Sequence, residues 1–196
     1  MKDYDKALRQ VTIGEPQRVD GPIQLAEYDP EWPRAFQRER VRISQALGAR
    51  ARLIEHAGST SVPGLAAKPR IDIVLAVPDS ADEPAYVPAM ELAGYTLRIR
   101  EPGWHEHRLF NRSDTDLNLH VFTVGCSEIE RMLRFRDWLR EHADERDLYL
   151  NEKRRLAAQT WEYMQQYADA KGELVEAILA RAGAPPPNLT ERERPG

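Results

Sequence analysis

The sequence predicts a mixed α/β fold of the α+β kind: a mixed β-sheet flanked by helices, with a C-terminal helical segment. Three observations predict it. Two short apolar runs, Ala51 to His56 and the Ile/Val-rich Arg70 to Val77, are separated by a Gly-Ser loop. Two later runs, His107 to Asn111 and Leu117 to Thr123, are joined by the polar turn Arg112-Ser113-Asp114-Thr115 and read as a hairpin. From Ser127 onward apolar residues recur at helical spacing. Helices between successive strands together with a late hairpin argue against a purely parallel sheet.

Taken in order, residues 1–20 carry little apolar periodicity and are expected to form an arm or frayed lead-in. Ile23 to Tyr28 alternates well enough for a strand. Asp29-Pro30-Glu31 then supplies an N-cap, a proline at the first helical position and an early acid. The helix that follows sets Trp32, Phe36, Ile43 and Leu47 on one face and stops at Gly48. Ala51 to His56 and Arg70 to Val77 are central strands, the second ended by Pro78-Asp79-Ser80. A helix is expected from Pro84 to Ala93, stopping at Gly94, and Tyr95 to Arg100 reads as extended before the turn Glu101-Pro102-Gly103.

In the last third, three apolar stripes mark three helices. The first is Ile129, Met132, Leu133, Trp138 and Leu139; the second Leu156, Trp161 and Met164; the third Leu174, Val175, Ile178, Leu179 and Ala182, with Gly183 as the cap. The tail from Ala184 to Gly196, with three successive prolines and alternating charges, is expected to be disordered. The organisation expected is one domain over residues 1–183, with a core spanning 23–125 and C-terminal helices over 127–182.

Composition narrows the functional classes. The chain has 196 residues, 41% hydrophobic and 31% charged, which suits one well-buried core. No apolar run approaches the length of a membrane helix, so no membrane partner is expected. Met1 to Gln10 lacks the apolar centre of a secretory signal, so the expected location is cytoplasmic, and the sequon Asn188-Leu189-Thr190 carries no weight there. The single cysteine, Cys126, excludes an internal disulfide and a cysteine-based zinc site; it is either a small packed residue or a reactive thiol. With a net charge of −4 and no long basic block, there is no strong nucleic-acid signal.

The chemistry concentrates in Ile54 to Val74. A Gly-Ser turn after a strand points backbone N–H groups and a hydroxyl toward an anion. Gly58 permits the close approach that phosphate cradling needs, and Gly64 closes the same loop. No Gly-Lys-Ser/Thr follows, so this is not a Walker motif. Asp72 opens an otherwise apolar strand, and an acid there must be paired, hydrated or bound to a cation. It could hold Mg²⁺, or pair with Arg70, Lys68 or Arg108. The strand position where a second metal-binding acid would stand on the same face is Val74.

The run Glu55 to Pro69, containing Gly58-Ser59-Thr60-Ser61-Val62-Pro63-Gly64, with Ile71-Asp72-Ile73, resembles the signature of the GrpB family, a group related to the nucleotidyltransferase fold. Leu117-Asn118-Leu119-His120-Val121-Phe122 resembles that family's His-Leu-His-Val strand. Phe135 to Arg140 and the spacings Tyr149…Lys153…Leu156 and Tyr167…Lys171 are similar to it too, so the resemblance runs from residue 23 to 182. It implies a nucleotidyltransferase-like core in which the Gly-Ser turn binds a nucleoside triphosphate and strand acids bind Mg²⁺. Ser59 and Asp72 fit that pattern, whereas Val74 does not.

On this resemblance Asp72 is the metal ligand and a catalytic candidate, with His120 and His56 as possible substitutes for the missing acids, each equally readable as a structural histidine. Gly58, Ser59, Thr60, Ser61, Lys68, Arg70, Arg108 and Lys153 form the candidate phosphate-binding set, and Lys171 could line the same cleft. His105 and His107 could form a metal pair on one strand face, or belong to an edge strand. The function this implies is Mg²⁺-dependent transfer of a nucleotidyl group from a nucleoside triphosphate to a small-molecule or other acceptor. The alternative is a noncatalytic nucleotide- or metabolite-binding protein with a degenerate site; an assembly role for the helical aromatics Trp138 and Trp161 is a third reading.

Overall fold

The structure, a computed structural model, describes residues 2–19 and 21–187. Five strands form one mixed sheet in the order β1-β2-β5-β4-β3: β1 (Leu53–Ala57), β2 (Ile71–Val77), β3 (Tyr95–Glu101), β4 (His107–Arg112) and β5 (Leu117–Thr123). β2 runs antiparallel to β1 and parallel to β5, while β4 is antiparallel to both β5 and β3. The parallel pair requires a long crossover, supplied by α3 (Val87–Leu92), β3 and β4. The helices α1 (Lys2–Val11) and α2 (Glu31–Leu47) precede the sheet, and α4 (Ser127–Glu141), α5 (Ala143–Ala157), α6 (Met164–Asp169) and α7 (Gly172–Arg181) follow it.

Side-chain alternation divides the sheet into two unlike faces. Ile71, Ile73, Leu75 and Val77 of β2, with Leu117, Leu119 and Val121 of β5, pack against Trp32, Phe36, Ile43 and Leu47 of α2 and Met90 of α3. The opposite face carries Asp72, then Val74, Ala76 and Phe122, and these last three pack with Ile129 and, less deeply, Met132 and Leu133 of α4. That second face is apolar at one end and polar at the other. Val62 and Leu65 of the β1–β2 loop join Leu139, Tyr149 and Ile178, which fastens the loop to the C-terminal helices.

Local chemistry explains the element boundaries. Asp29 caps α2 by accepting from the Glu31 N–H at 2.8 Å, and Gly48 ends the helix at φ 54°. The helix expected over 84–93 is shorter: a 3₁₀ turn over Glu83–Ala85 precedes α3, because Pro84 and Pro88 cannot donate inside one continuous helix. Residues 23–28 do not form the expected strand. They make the single bridge Ala26 to Ala67, with both N–H···O contacts at 2.8 Å, while Ile23 packs with Leu156 and Tyr167.

The expected arm over 1–20 is also corrected, since α1 is a docked helix. Tyr4, Leu8 and Val11 form a short half-buried stripe, and the anchors are polar: Tyr4 donates to Asp169 at 2.7 Å, Asp5 accepts from Tyr163 at 2.5 Å, and the following Ile13 N–H donates to the Arg98 carbonyl at 2.7 Å. At the other end, Ala184 N–H donates to the Leu179 carbonyl at 3.0 Å and the Pro185 carbonyl accepts from Arg131. The start of the expected disordered tail is thus anchored, and residues 188–196, with the sequon, lie outside the described residues. No helix among the described residues is long and apolar enough to cross a membrane.

One buried acid ties α2 to the far edge of the sheet. Glu39, 3% exposed, accepts from the Tyr95 hydroxyl at 2.5 Å and from Arg112 at 3.3 Å. Glu39→Ala leaves the buried Tyr95 hydroxyl without its acceptor and leaves Arg112 a single carboxylate, Asp114, at 2.6 Å, and should cost about 2 kcal/mol of unfolding free energy. Urea melts should show that loss as a lower midpoint, and Tyr95→Phe should cost less when combined with Glu39→Ala than alone.

Candidate functional site

The site forms where the turn after β1 meets the first residues of β2 and β5. The register sets Asp72 between Ala57 and Asn118, with His120 beside Val74 on the same face. Gly58 leaves β1 at φ 65°, and a Cβ built there would stand 2.9 Å from the Asp72 Cβ and closer still to Oδ2. Both the backbone angle and the approach of the acid therefore require glycine. Ser59–Ser61 complete a single 3₁₀ turn, in which Ser61 Oγ donates to the Gly58 carbonyl at 2.5 Å.

α4 holds this turn from outside. Arg136 Nη1 donates to the His56 carbonyl at 2.9 Å and to Glu55 at 2.8 Å, while Arg140 reaches the Ser61 carbonyl from Nη2 at 2.8 Å and Nε at 3.0 Å. Each guanidinium replaces the water that a loop carbonyl would otherwise need.

Asp72 accepts from Asn118 Nδ2 at 2.9 Å, and Asn118 is oriented by Asn111, whose amide donates to its Oδ1 at 3.1 Å. His120 Nε2 stands 3.8 Å from Asp72 Oδ1. Behind it, His120 Nδ1 lies 3.1 Å from His107 Nε2, and His107 Nδ1 lies 2.7 Å from Glu101. The Asp72 side chain remains 26% exposed, so the carboxylate sits at the mouth of the site. Burial opposes its ionisation, but His120, Asn118 and the charge of Lys68 outweigh burial and hold it below the usual carboxylate range.

Three ammonium groups converge on the same side. Lys153, 3% exposed, donates to the Ala66 carbonyl at 2.6 Å. Lys171 donates to the Tyr167 carbonyl at 2.8 Å, its Nζ 3.7 Å from the centre of the Tyr167 ring, and Lys68 lies 5.2 Å from the same ring. None of the three makes an ion pair among the described residues. Burial first, and then their mutual repulsion, draws Lys153 and Lys171 down to about 7; burial with the charge of Arg70 lowers Lys68 as well. Asp72 acts on all three in the opposite sense. Tyr167 is 2% exposed and its hydroxyl has no hydrogen-bond partner among the described residues. Ser59 lies beside the buried Tyr149 hydroxyl.

Of the residues expected at the site, the structure thus brings together Gly58, Ser59, Asp72, Lys68, Lys153, Lys171 and His120. Others are engaged elsewhere. His56 belongs to the opposite sheet face, stacked on Phe36 with ring centres 4.9 Å apart, and its Nε2 lies 3.0 Å from Thr60 Oγ1. Thr60 in turn donates to the Arg70 carbonyl at 3.2 Å, so His56 and Thr60 brace the loop. Arg70 pairs with Asp116 at 2.5 Å. Arg108 also points to the opposite face, where Glu83 neutralises it at 2.6 Å.

His105 and Glu106 precede β4 in a turn with φ values of 53° and 49°, so His105 does not share a strand face with His107. Glu55 is committed to Arg136, and no cluster of three or more His, Cys, Asp or Glu among the described residues could hold a metal ion. Sequence reasoning missed the orienting role of Asn111 and the Glu101–His107 support of His120, and it noted the Tyr167…Lys171 spacing without giving Tyr167 a place at the site. The last had a usable signal: Tyr149/Lys153 and Tyr167/Lys171 are both four apart, one helical turn.

The family model described as GrpB protein matches residues 22–181. A UPF0157 protein of Halalkalibacterium halodurans is 58% identical over 180 residues, which cover 92% of each chain. Another, of Streptomyces coelicolor, is 48% identical over 172 residues, 88% of this chain and 89% of that one. Among solved structures, conserved protein GrpB from Enterococcus faecalis aligns over 81% of this chain and 96% of its own, at 30% identity and a TM-score of 0.72.

The buried histidines make a pH prediction. Burial, the largest effect on each, draws His56 and His107 down to about 4. The unfolded chain takes up those protons near the ordinary value of about 6.5, so it binds more protons than the folded one between these limits. Stability should be full above that upper limit and fall as the pH drops, by about 2 kcal/mol from each histidine at pH 5. Urea melts at pH 7 and pH 5 should show the loss, and His56→Gln should shrink it; equal stability at both pH values would contradict this.

Proposed function

This chain belongs to the GrpB protein family, and from that premise and the geometry around Asp72 we propose that it binds a nucleoside triphosphate together with one divalent cation. The observation that carries the reading is the set of three largely buried amines without a carboxylate partner, gathered beside a Gly-Ser turn. Concentrated positive charge away from water is costly unless an anion meets it. A triphosphate tail supplies several negative oxygens at the spacing of neighbouring side chains, and the Ser59 hydroxyl and turn backbone offer further donors. The reading places the protein in the cytoplasm, where such nucleotides are.

Asp72 suits the cation. Its carboxylate is ionised, partly exposed and given room by Gly58. Mg²⁺ is commonly held by one or two carboxylates together with substrate phosphates, which is the donor set available here. A bound cation would neutralise phosphate charge and draw electron density from the phosphorus.

Transfer of the nucleotidyl group to a small-molecule acceptor is the second reading, favoured by the placement of His120 beside Asp72. Against ordinary two-metal transfer stands the absence of a second carboxylate beside Asp72 among the described residues: Val74 occupies its strand position and Glu55 is held by Arg136. Binding is therefore the primary proposal.

Calorimetric titration with the four common triphosphates and Mg²⁺ tests it. At pH 8 the amines that sit at about 7 in the free protein regain protons against phosphate, so binding should take up about one to two protons, read from buffers of different ionisation enthalpy. Lys171→Met should weaken binding about tenfold, the loss of one charge-assisted contact of roughly 1.4 kcal/mol. Asp72→Asn should abolish the Mg²⁺ dependence. No binding heat with any of the four would sink the proposal, and pyrophosphate release with candidate acceptors would decide for transfer.

A further inference from the structure

The line of groups from Glu101 through His107 and His120 to Asp72 has a directional logic. A carboxylate only accepts, so the 2.7 Å contact to Glu101 puts the proton of His107 on Nδ1. Its Nε2 points the other way, toward the ring of His120. The two nitrogens lie 3.1 Å apart, a hydrogen-bond contact that occupies His120 Nδ1. The other ring nitrogen of His120, Nε2, therefore faces Asp72 Oδ1, 3.8 Å away. This gap exceeds the length of a charge-assisted hydrogen bond. A ring nitrogen and a carboxylate oxygen, both of them metal-ligating atoms, face each other across it at the mouth of the site.

We propose that His120 Nε2 is the second protein ligand of the cation on Asp72, which makes a mixed nitrogen–oxygen site that selects a first-row transition ion over Mg²⁺. This rests on the cation part of the function proposed above. Imidazole coordinates such ions well, whereas Mg²⁺ demands hard oxygen donors. A metal-ligating histidine ordinarily has its other ring nitrogen fixed by a hydrogen bond, and here His107, itself fixed by Glu101, does this. His120 thus takes the place that a carboxylate at Val74 would have filled, and His107 is a positioning residue. His107 stacks on Phe122 with ring centres 4.8 Å apart, so the support is packed as well as hydrogen-bonded.

The test uses Mn²⁺ alone, without nucleotide, on the full chain. Competition titration should give at least about tenfold tighter binding of Mn²⁺ than of Mg²⁺. Pulsed EPR should show nitrogen coupling to Mn²⁺, which only direct imidazole ligation produces. His120→Gln should remove that coupling and weaken Mn²⁺ binding at least about tenfold; Glu101→Ala, acting through His107, should weaken it about tenfold. His120→Asp converts the pair to two oxygens and should reverse the preference toward Mg²⁺. His120 is 22% exposed and belongs to neither apolar cluster of the sheet, so both substitutions should fold, which a thermal melt of each variant checks.

Mn²⁺ bound through Asp72 without nitrogen coupling overturns the inference, and so does failure of Mn²⁺ to bind at millimolar concentration with or without a triphosphate. Nitrogen-coupled Mn²⁺ in a protein that binds no triphosphate upholds the inference while removing the nucleotide reading.

Discussion

One ionised carboxylate at the edge of an otherwise apolar sheet organises much of this molecule. An acid in that position is tolerable only where hydrogen bonds and positive charge offset lost hydration. For Asp72 these come from three regions, the β1–β2 loop, β5 and the last helices. Gly58 removes the side chain that would collide with it, the parallel neighbour β5 brings the Asn118 amide and His120, the β1–β2 loop brings Lys68, and the last helices bring Lys153 and Lys171. The helical third of the chain is consequently part of the same electrostatic unit as the sheet, although it begins only after the last strand.

The pleat does the sorting between structure and chemistry. Odd-numbered residues of β2 enter the core with α2, and even-numbered ones face α4 and the site. Two histidines separated by this rule have opposite fates: His56 is pressed on Phe36 and braces the loop from behind, while His120 reaches Asp72. The same rule removes Arg108 from the site and leaves His107 behind it. A shift of one residue in the pairing would exchange these roles, which a half-buried sheet strongly resists.

The strands of the sheet and α2 were legible because their apolar spacing, turn residues and caps agree with one another. α1 was not, since its stripe of Tyr4, Leu8 and Val11 is short and the tyrosine–carboxylate hydrogen bonds that dock it reach distant residues. Residues 23–28 have strand-like alternation, yet their partners are scattered: Ile23 and Leu25 pack with the final helices, Ala26 bridges to Ala67, and Tyr28 meets Trp32 of α2. At the site, Gly58, Ser59 and Asp72 could be picked out because glycine and a lone strand acid are unusual where they stand. The commitments of Arg70 to Asp116 and of Arg108 to Glu83 could not, because a basic residue's partner is set by tertiary folding. The support of His120 by His107 likewise depends on the pairing of β4 with β5.

The two arginines of α4 that grip the His56 and Ser61 carbonyls have a kinetic consequence. Loops that fold over a ligand trap it, and their reopening then limits release. A turn pinned to a helix at both ends is already ordered, so a ligand loses little entropy in arranging it and meets no gate. Exchange at such a turn is governed by the rupture of individual contacts to the ligand, and the lifetime of a complex should track their number and strength.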